Sequence, residues 1–433
     1  MALPELRVYT TEPGRAENPD SLQLIHVAVL GSARVSVNGE LKGNKPDSPC
    51  QPGYALLGGY QGTVIRVAER PDYGWREDDR GIGPSNCRDI ESQDHRSSGS
   101  LGLRVTGKRI LFGMAIREKR LIEGIRRSVI RDQPVFRRSV SRRSVVTGIG
   151  DDCAVLRVPP GHELLVTTDF SIEGVHFRRD WHRPELVGWR CLTRGLSDIA
   201  AMGGEPVAAF LSLAVAGEVP QKWVNGFLRG LLKLADEFGV PLAGGDTAQS
   251  TGGIEADIVV VGSVPKGKAV LRSGAKPGQQ IYVTGVLGGS AAALARLIES
   301  RPVGEYSRYL KPRARVAAGQ WLRRRGAVSA MIDISDGLST DLEHICAESG
   351  VGAEIEASAI PRASGEVALD LALHGGDDYE LLFTSAAEIP AKVAGVKVTR
   401  IGRVVRGSGM RLIGVNGRRA VLRAGGWEHF GRD

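Results

Sequence analysis

Aspartates recur along the chain after residue 150, some of them in glycine-containing motifs and several after apolar strands. They are Asp151, Asp152, Asp169, Asp198, Asp246, Asp333, Asp336, Asp377 and Asp378. A carboxylate at the end of a buried strand is costly unless a cation neutralises it. Few lysines or arginines adjoin these motifs, and Mg²⁺ commonly joins one or two carboxylates to substrate phosphates. The pattern therefore predicts a polyphosphate site that contains several divalent metal ions.

Each of these motifs also has a simpler interpretation when it is taken alone. Asp-Gly pairs are common in turns, and Asp at the start of a helix is a common cap. Asp198 lies inside a predicted helix, where it either faces solvent or points at a positive group. Four such motifs after apolar strands in one chain favour the metal site. The neighbouring glycines also allow backbone N–H groups to approach phosphate oxygens.

Other schemes for binding phosphate or metal are absent from the sequence. There is no GxxxxGK[ST] loop, no protein-kinase HRD or DFG set, and no strand followed by GxGxxG. HExxH and CxxC zinc motifs are also missing. The five cysteines are scattered and odd in number, which argues against a disulfide framework and favours a reducing compartment. They are Cys50, Cys87, Cys153, Cys191 and Cys346, of which the last two are predicted to be plain buried thiols.

The charge and hydropathy patterns bear on the compartment and on possible partners. The longest apolar stretch, near residues 207–216, is too short to cross a bilayer. The first residues lack the apolar core of a secretory signal, so a cytoplasmic location is predicted. The net charge of +8 owes much to nine arginines between Arg117 and Arg143. We interpret this run mainly as a solvated helix face, with a nucleic-acid-binding arm as the alternative.

The composition divides the chain into three stretches. Residues 1–113 are rich in Gly, Ser, Pro and charge and have little periodicity, which is typical of a disordered extension or of a start assigned too far upstream. Only residues 24–30 and 62–67 there resemble strands. A helical pattern begins near Met114, where we expect the functional unit to begin. We assign residues 114–265 and 266–433 to two domains.

Strands and helices alternate after Gly148, which predicts an α/β fold in two parts. The predicted strands include residues 163–170, 254–264 and 281–285. One helix follows Pro184, which suits a first turn, and a second covers residues 221–238 and ends at Gly239. A further helix is predicted to follow the DISDG motif and to continue through Ile345.

Eight motifs, taken in order, make the chain resemble a known enzyme family. They are GIGDDCAVL, LLVTTDFSIEGVHF, LSDIAAMGGEP, LAGGDT, LRSGAKPGQQIYVTG, MIDISDGLSTDL, HGGDDYELLF and GGWEHF. Over residues 114–430 they resemble the thiamine-monophosphate kinase family, from the superfamily of aminoimidazole-ribonucleotide synthetase and selenophosphate synthetase. The resemblance implies a two-domain synthetase-like fold whose amino-terminal halves form a homodimer with a shared β-barrel. It also implies ATP-dependent conversion of thiamine monophosphate to thiamine diphosphate, with ATP and several Mg²⁺ ions between the halves.

The same resemblance implies a role for each residue that matches a family motif. Metal ligands are implied at Asp152, Thr167, Thr168, Asp169, Asp198, Asp246, Asp333 and Asp336. Nucleotide contacts are implied at Gly245, Asp246, Arg272 and Ser335. Acceptor contacts are implied at His176, Asp377 and Trp427. In the last group the chain departs from the family pattern, because it has GGDD where GGED is commoner, which shortens the side chain of Asp377 by one methylene.

Each of these side chains has an ordinary alternative. His176 is also readable as a histidine at a strand end, Trp427 as a packing residue and Arg272 as a surface arginine. The contacts make physical sense, since an aromatic face suits a cationic thiazolium ring and a guanidinium grips phosphate in a bidentate manner. No general base is expected, because a phosphomonoester with a second pKa of about 6 is largely dianionic at neutral pH.

Two other kinds of protein remain open at this stage. One is another ATP-dependent synthetase of the superfamily, of the selenophosphate or purine-pathway type. A selenophosphate synthetase typically carries a reactive cysteine in a Gly-rich amino-terminal loop, which neither Cys50 nor Cys87 matches. The other is a nucleotide-binding protein without catalytic activity, which would bind ATP and magnesium with no turnover.

Overall fold

The computed structural model describes residues 144–150, 152–364 and 366–429, the single residue Arg127, and the backbone of seven strands between residues 5 and 111. The chain forms two compact units, Met1–Ala115 and Ile116–Asp433. The helix predicted after Met114, the arginines of 117–143 except Arg127, and the part of 1–113 outside the strands lie outside the described residues.

The first unit contains two antiparallel sheets. Its strands are β1 Glu5–Thr11, β2 Gln23–Ala28, β3 Val35–Ser36, β4 Tyr54–Gly58, β5 Val64–Ala68, β6 Gly102–Val105 and β7 Lys108–Leu111. One sheet has the order β2-β1-β5-β4 and the other β3-β6-β7. The two stretches that resembled strands in the sequence overlap β2 and β5. The sequence patterns did not predict the remaining five strands.

The second unit begins with a small hairpin and a four-stranded sheet covered by two helices. Its elements are β8 Val145–Thr147, β9 Val155–Leu156, β10 His162–Ile172, α1 Pro184–Ala201, β11 Glu205–Ala216, α2 Gln221–Phe238, β12 Leu242–Ser250 and β13 Ile254–Pro265. The sheet order is β10-β13-β11-β12, and all pairs are antiparallel except β11 with β12. The predicted strands 163–170 and 254–264 and both predicted helices are confirmed.

Helices α1 and α2 approach each other closely because glycines face the contact. A Cβ on Gly188 would lie 1.9 Å from the carbonyl oxygen of Phe227, and one on Gly230 would lie 1.9 Å from that of Glu185. Helix α2 ends at Gly239, whose φ of 65° is left-handed, as predicted. The apolar stripe of α2, the buried face of α1 and the inner face of the sheet form one hydrophobic core.

The remainder of the second unit is an eight-stranded sheet with four helices. Its elements are β14 Gln280–Thr284, α3 Gly289–Ile298, α4 Val316–Arg325, β15 Val328–Asp333, α5 Leu338–Ser349, β16 Gly352–Glu356, α6 Leu369–His374, β17 Leu381–Ser385, β18 Lys392–Val393, β19 Val396–Val405, β20 Met410–Ile413 and β21 Arg419–Leu422. The sheet order is β15-β17-β14-β19-β16-β20-β21, and β18 pairs with β19. The predicted strand 281–285 and the helix after DISDG are confirmed.

Helix α1 joins the two sheets of the second unit. Its core-facing residues Leu192 and Leu196 belong to the same buried cluster as Met331 of β15 and Phe383 of β17. The indole N–H of Trp189 donates a 2.6 Å hydrogen bond to the carbonyl oxygen of Pro312. Polar residues of α1 therefore meet strand ends from both sheets. No helix within the described residues is long and apolar enough to span a membrane.

Candidate active site

Three aspartates from three separate elements meet beside α1, and we call Asp169, Asp198 and Asp333 the inner carboxylates. Asp169 comes from β10, Asp198 from the last turns of α1, and Asp333 from the end of β15. The Thr167 hydroxyl donates a hydrogen bond to Oδ2 of Asp198. The Ser197 hydroxyl donates one of 2.6 Å to Oδ2 of Asp333. The structure therefore brings together four of the eight predicted metal ligands.

The inner carboxylates oppose one another's ionisation. Burial, followed by the charge of Asp198, raises the pKa of Asp169 to about 7, although Arg194 opposes the shift. Burial and Asp198 likewise raise the pKa of Asp333 to about 7, against the hydrogen bond from Ser197. The pKa of Asp198 is also raised, chiefly by burial. A cation bound between these carboxylates would relieve their mutual repulsion and so lower the free energy of the folded protein.

The oxygen donors of this group fit a hard divalent cation whose coordination is completed by substrate oxygens. Within the described part of the chain, no three Asp, Glu, His or Cys side chains are placed so that they could hold a metal ion by themselves. Mg²⁺ usually keeps several waters and binds through one or two carboxylates plus substrate phosphates. The inner carboxylates thus offer the right chemistry, with some of the coordination left for a phosphate ligand.

A second polar group lies on the opposite face of the four-stranded sheet. Neighbouring residues of a strand face opposite sides, and the Thr168 hydroxyl donates a 2.6 Å hydrogen bond to Oδ1 of Asp257. Asp257 pairs with Ser212 of β11, which pairs with Asp246 of β12. The register places Thr168, Asp257 and Asp246 on one face of the sheet and Asp169 on the other. Thr168 and Asp246 therefore do not join the inner carboxylates through their side chains. Asp246 Oδ1 instead accepts a 2.8 Å hydrogen bond from the Thr247 amide.

The remaining predicted metal ligands lie in two loops. Asp152 is exposed between β8 and β9, and Asp151 falls outside the described residues. Asp336 lies in the loop between β15 and α5. One carboxylate oxygen of the buried Asp341 accepts hydrogen bonds from the amides of Ser335, Asp336 and Gly337, at 3.1–3.3 Å. Asp341 therefore fixes the path of the loop that carries two predicted site residues.

The predicted nucleotide contacts come from separate parts of the fold. Arg272 is exposed, and its charge acts on both Asp198 and Asp333 by lowering the pKa of each. The Ser335 carbonyl accepts a 2.8 Å hydrogen bond from the Asp377 amide. Gly245 has φ of 144°, and a Cβ there would lie 1.9 Å from the carbonyl oxygen of Leu211. This close approach of two backbones requires glycine.

Three aromatic rings lie near Asp377, whose charge acts on His176. The His176 and His429 rings are 5.3 Å apart, and the Trp427 and His429 rings are 5.7 Å apart with their planes perpendicular. Burial, together with Arg194, lowers the pKa of His176 to about 4. Nδ1 of His176 accepts a 3.0 Å hydrogen bond from the Ile172 amide, so the neutral ring carries its proton on Nε2. Trp427 remains about half exposed.

Asp377, the third predicted acceptor contact, is bound by two arginines of α1. Arg190 donates to Oδ2, and Arg194 donates a 3.3 Å hydrogen bond to Oδ1. The Tyr379 hydroxyl donates a 2.6 Å hydrogen bond to the same Oδ1. Burial alone would raise the pKa of Asp377, but Arg190 and Arg194 hold it down to about 2. Asp377 and Tyr379 adopt positive φ values of 64° and 52°, which are uncommon for residues other than glycine.

The carboxy-terminal segment is fastened over the loop between β15 and α5. The Trp427 amide donates a 3.0 Å hydrogen bond to the Asp336 carbonyl, and the Gly426 amide donates one of 3.1 Å to the Thr340 hydroxyl. A Cβ on Gly426 would lie 2.1 Å from the Asp336 carbonyl oxygen. The GGW sequence thus brings the Trp427 ring to the site through a contact that only glycine allows.

The sequence motifs did not reveal several residues that shape the site. These are Arg190, Arg194, Asp341 and His429, while Asp378 was noted in the aspartate series without a role. Helical spacing was the available signal for the arginines, because positions 190, 194 and 198 share one face of α1. Asp378 accepts a 2.7 Å hydrogen bond from the Gly288 amide at the start of α3, a contact between distant segments that carried no signal.

Family models match most of the second unit. The model described as AIR synthase related protein, N-terminal domain, matches residues 150–264, and the one described as AIR synthase related protein, C-terminal domain, matches residues 276–415. The fold is therefore mixed α/β with two domains of the AIR synthase type. The boundary between these matches coincides with the segment that leads from β13 to β14.

Individual proteins and solved structures show which enzyme family within the AIR-synthase type the chain is similar to. The thiamine-monophosphate kinase of Salmonella typhimurium is 40% identical over 285 residues, which cover 61% of this chain and 86% of the relative. The crystal structure of thiamine-monophosphate kinase from Stenotrophomonas maltophilia K279a has a TM-score of 0.61 at 34% identity, covering 71% of this chain and 99% of that one. A structure described as AaThiL complexed with AMPPCP and TMP has a TM-score of 0.55 at 30% identity, covering 73% and 100%. The chain belongs to the thiamine-monophosphate kinase family.

Proposed function

We propose that the protein transfers the γ-phosphoryl group of ATP to thiamine monophosphate and so forms thiamine diphosphate and ADP. The observation that carries this proposal is the arrangement around α1. The inner carboxylates lie near the end of α1, and the His176, His429 and Trp427 rings lie near Asp377, which is bound by Arg190 and Arg194 of the same helix face. The related structure complexed with AMPPCP and TMP supports both substrates.

The transfer is direct and in line. An oxygen of the acceptor phosphate attacks the γ-phosphorus, the bond from that phosphorus to the β–γ bridging oxygen breaks, and ADP leaves with the electron pair. The acceptor phosphate is largely dianionic near neutral pH, so no side chain has to remove a proton. The protein's task is to position two polyanions and to balance their charge.

The inner carboxylates, with Thr167, would hold Mg²⁺ ions at the phosphate end of ATP. A bound metal supplies charge neutralisation and orientation for the phosphates. Asp152, Asp246 and Asp336 are proposed as further ligands from separate loops and strands, and Thr168 as one through its backbone. These residues lie apart from the inner carboxylates, and Asp246 faces the other side of the four-stranded sheet.

The nucleotide would lie at the inner carboxylates, and the acceptor would lie beside it along the same face of α1. Gly245 and Asp246 of β12, Arg272 and Ser335 are proposed to contact ATP. His176 presents an Nε2–H donor, and Trp427 presents a half-exposed ring. An indole face can stack on a cationic thiazolium, so we assign both residues to the thiamine portion of the acceptor, away from its phosphate. Asp377 acts on the acceptor through the arginines that it binds.

A homodimer is proposed from the outer face of β10. Leu164, Val166 and Phe170 alternate along this edge strand with exposed fractions of 53%, 66% and 55%. Large exposed apolar rows on an edge strand commonly mark an association surface. Pairing of this face with a second copy would build the β-barrel that the family resemblance implies.

A cytoplasmic location is part of the same proposal. The described cysteines Cys153, Cys191 and Cys346 are unpaired, as is usual in a reducing compartment. Cys191 and Cys346 are buried, in agreement with the sequence prediction.

The proposed function is tested by ADP release from the purified full chain with ATP and Mg²⁺, with and without thiamine monophosphate. We expect acceptor-dependent ADP with stoichiometric thiamine diphosphate. Asp333→Asn and Asp152→Asn should abolish turnover and leave the fold intact, whereas Asp370→Asn, an exposed carboxylate on α6, should be fully active. A chain that begins at Met114 tests whether residues 1–113 are dispensable. Absence of acceptor-dependent ADP from the full chain would refute the function.

A further inference from the structure

Helix α1 carries two buried guanidinium groups for one bound carboxylate. The side chains of Arg190 and Arg194 are 9% and 13% exposed, and within the described residues Asp377 is the only carboxylate hydrogen-bonded to either. Removing two cations from water is costly when one hydrogen-bonded anion balances them, and the inner carboxylate Asp169 acts on Arg194 only through space. A further anion at Arg194 would complete the arrangement.

The two arginines use their donors very differently. Arg190 bonds Oδ2 of Asp377 and the carbonyl oxygen of Tyr309. A guanidinium has five N–H donors, yet within the described residues Arg194 makes a single side-chain hydrogen bond, of 3.3 Å, to Oδ1 of Asp377. That same oxygen already accepts the shorter bond from Tyr379. Most N–H donors of the Arg194 guanidinium are therefore available to a ligand.

Arg194 also lies between the two halves of the site. It lies one helical turn before Asp198, on the same face of α1. Its guanidinium also donates a hydrogen bond to Asp377, the predicted acceptor contact. A phosphate placed against Arg194 would therefore lie between the inner carboxylates and the aromatic rings.

We propose that Arg194 binds the phosphate of the acceptor directly, while Arg190 and Asp377 hold its guanidinium in place. The proposal rests on the proposed function, because it takes the acceptor to be a phosphomonoester. Charge-assisted bidentate contact between guanidinium and phosphate is a strong and geometrically specific interaction. Arg194 is then an acceptor-binding residue, and Arg190 and Asp377 are positioning residues.

Two observations assign Arg194 to the acceptor and not to ATP. Its hydrogen-bond partner Asp377 is in the loop next to the rings, and Arg272 already faces the inner carboxylates from the nucleotide side. The short side chain of Asp377 is also consistent with this role, because both of its oxygens are engaged by Arg190, Arg194 and Tyr379. The carboxylate therefore reaches the acceptor through Arg194.

The test compares steady-state kinetics of the full chain with those of Arg194→Met and Arg194→Lys. Loss of a charge-assisted hydrogen bond should raise KM for thiamine monophosphate by roughly 10- to 150-fold in Arg194→Met. KM for ATP should stay within about twofold. Arg194→Lys keeps the charge but loses the bidentate donor geometry, so its KM for thiamine monophosphate should be intermediate. Arg229→Met, an exposed arginine on α2, is the matched control and should behave like the unaltered protein.

A second measurement separates contact with the phosphate from a general disturbance of the site. Thiamine, which lacks the phosphate, is used as a competitor of thiamine monophosphate. Its inhibition constant should be unchanged in Arg194→Met if only the phosphate contact is lost. Thermal unfolding verifies that the variants are folded.

The possible results decide between the proposals. An unchanged KM for thiamine monophosphate in folded Arg194→Met, or an equal rise in KM for ATP, would overturn the role of Arg194 while the proposed function stands. No turnover of thiamine monophosphate by the unaltered protein would overturn the proposed function, and this inference with it.

Discussion

The Ser197 hydroxyl donates a 2.6 Å hydrogen bond to Oδ2 of Asp333, a residue 136 positions further along the chain. Both residues are buried. The bond joins α1, in the first AIR-synthase-type domain, to the end of β15, in the second. It is therefore a direct link between the two halves of the candidate site.

Replacing Ser197 by Ala should weaken both the fold and the use of magnesium. A buried carboxylate that loses its donor costs about 1–3 kcal/mol in free energy of unfolding. The remaining carboxylate is also less readily ionised, so the Mg²⁺ concentration for half-maximal ADP release should rise. Urea unfolding and Mg²⁺ titration of turnover measure the two effects.

Ser385→Ala is the matched control for this variant. Ser385 is buried at the far end of β17, where its hydroxyl bonds the Ala387 carbonyl at 2.7 Å. We expect a similar loss of stability with no change in magnesium dependence. An unaltered magnesium dependence in Ser197→Ala would contradict the link between this hydroxyl and the metal site.

Asp333→Asn should change stability with a defined dependence on pH. The pKa of Asp333 is raised from 3.8 to about 7 in the folded protein. Between these values the folded state keeps a proton that the unfolded chain releases, so the contribution of Asp333 to stability is lost as pH rises through 7. Without Mg²⁺, Asp333→Asn should therefore gain stability relative to the unaltered protein between pH 5 and pH 8.

Urea unfolding of both proteins at pH 5 and pH 8 tests this expectation. Adding Mg²⁺ at pH 8 should narrow the difference, because the cation stabilises only the protein that has the carboxylate. A difference in free energy of unfolding that is the same at both pH values would show that Asp333 is ionised in the folded protein well below pH 7.

His176 should remain neutral throughout the physiological range. Its pKa is lowered to about 4, first by burial and then by Arg194. Between pH 4 and 6.5 the unfolded chain binds a proton at this position that the folded state does not, so the stability contribution of His176 falls as the solution is acidified. Nitrogen-detected NMR should show an Nε2–H ring that does not titrate between pH 5.5 and 8.5. Titration near pH 6.5 would exclude the buried, Nε2-protonated ring.

The sequence predicted several elements of the second unit, among them β10, β13, β14, α1, α2 and α5, and a metal site built from several aspartates. These predictions depended on local patterns, namely apolar strands that end in Asp and helices with Pro or Gly at their ends. The placement of Thr168 shows a limit of motif transfer. In the family motif it stands beside Thr167, but neighbouring strand residues face opposite sides, and its hydroxyl bonds Asp257.

The arginines of α1 show a different limit. A search for basic residues adjacent to the aspartate motifs overlooks Arg194, although helical spacing places it one turn before Asp198. Its partner Asp377 lies 183 positions away. Only the packing of α1 between two sheets brings these charges together, and no pattern within either segment encodes that packing.

Gly426→Ala should impair acceptor binding without touching the metal site. A Cβ at this position would lie 2.1 Å from the Asp336 carbonyl oxygen, and overpacking against backbone typically costs about 1–3 kcal/mol. The carboxy-terminal segment should then detach from the loop and take the Trp427 ring with it. We expect KM for thiamine monophosphate to rise by roughly tenfold, in line with the loss of one aromatic contact of about 1 kcal/mol or more, and KM for ATP to stay unchanged.

Gly252→Ala, at a turn where a Cβ would meet nothing within 4 Å, is the matched control and should leave both constants unaltered. Quenching of tryptophan fluorescence by iodide would report the released ring directly. Equal acceptor KM values for the two alanine variants would mean that the segment takes no part in binding, which would remove Trp427 from the acceptor site.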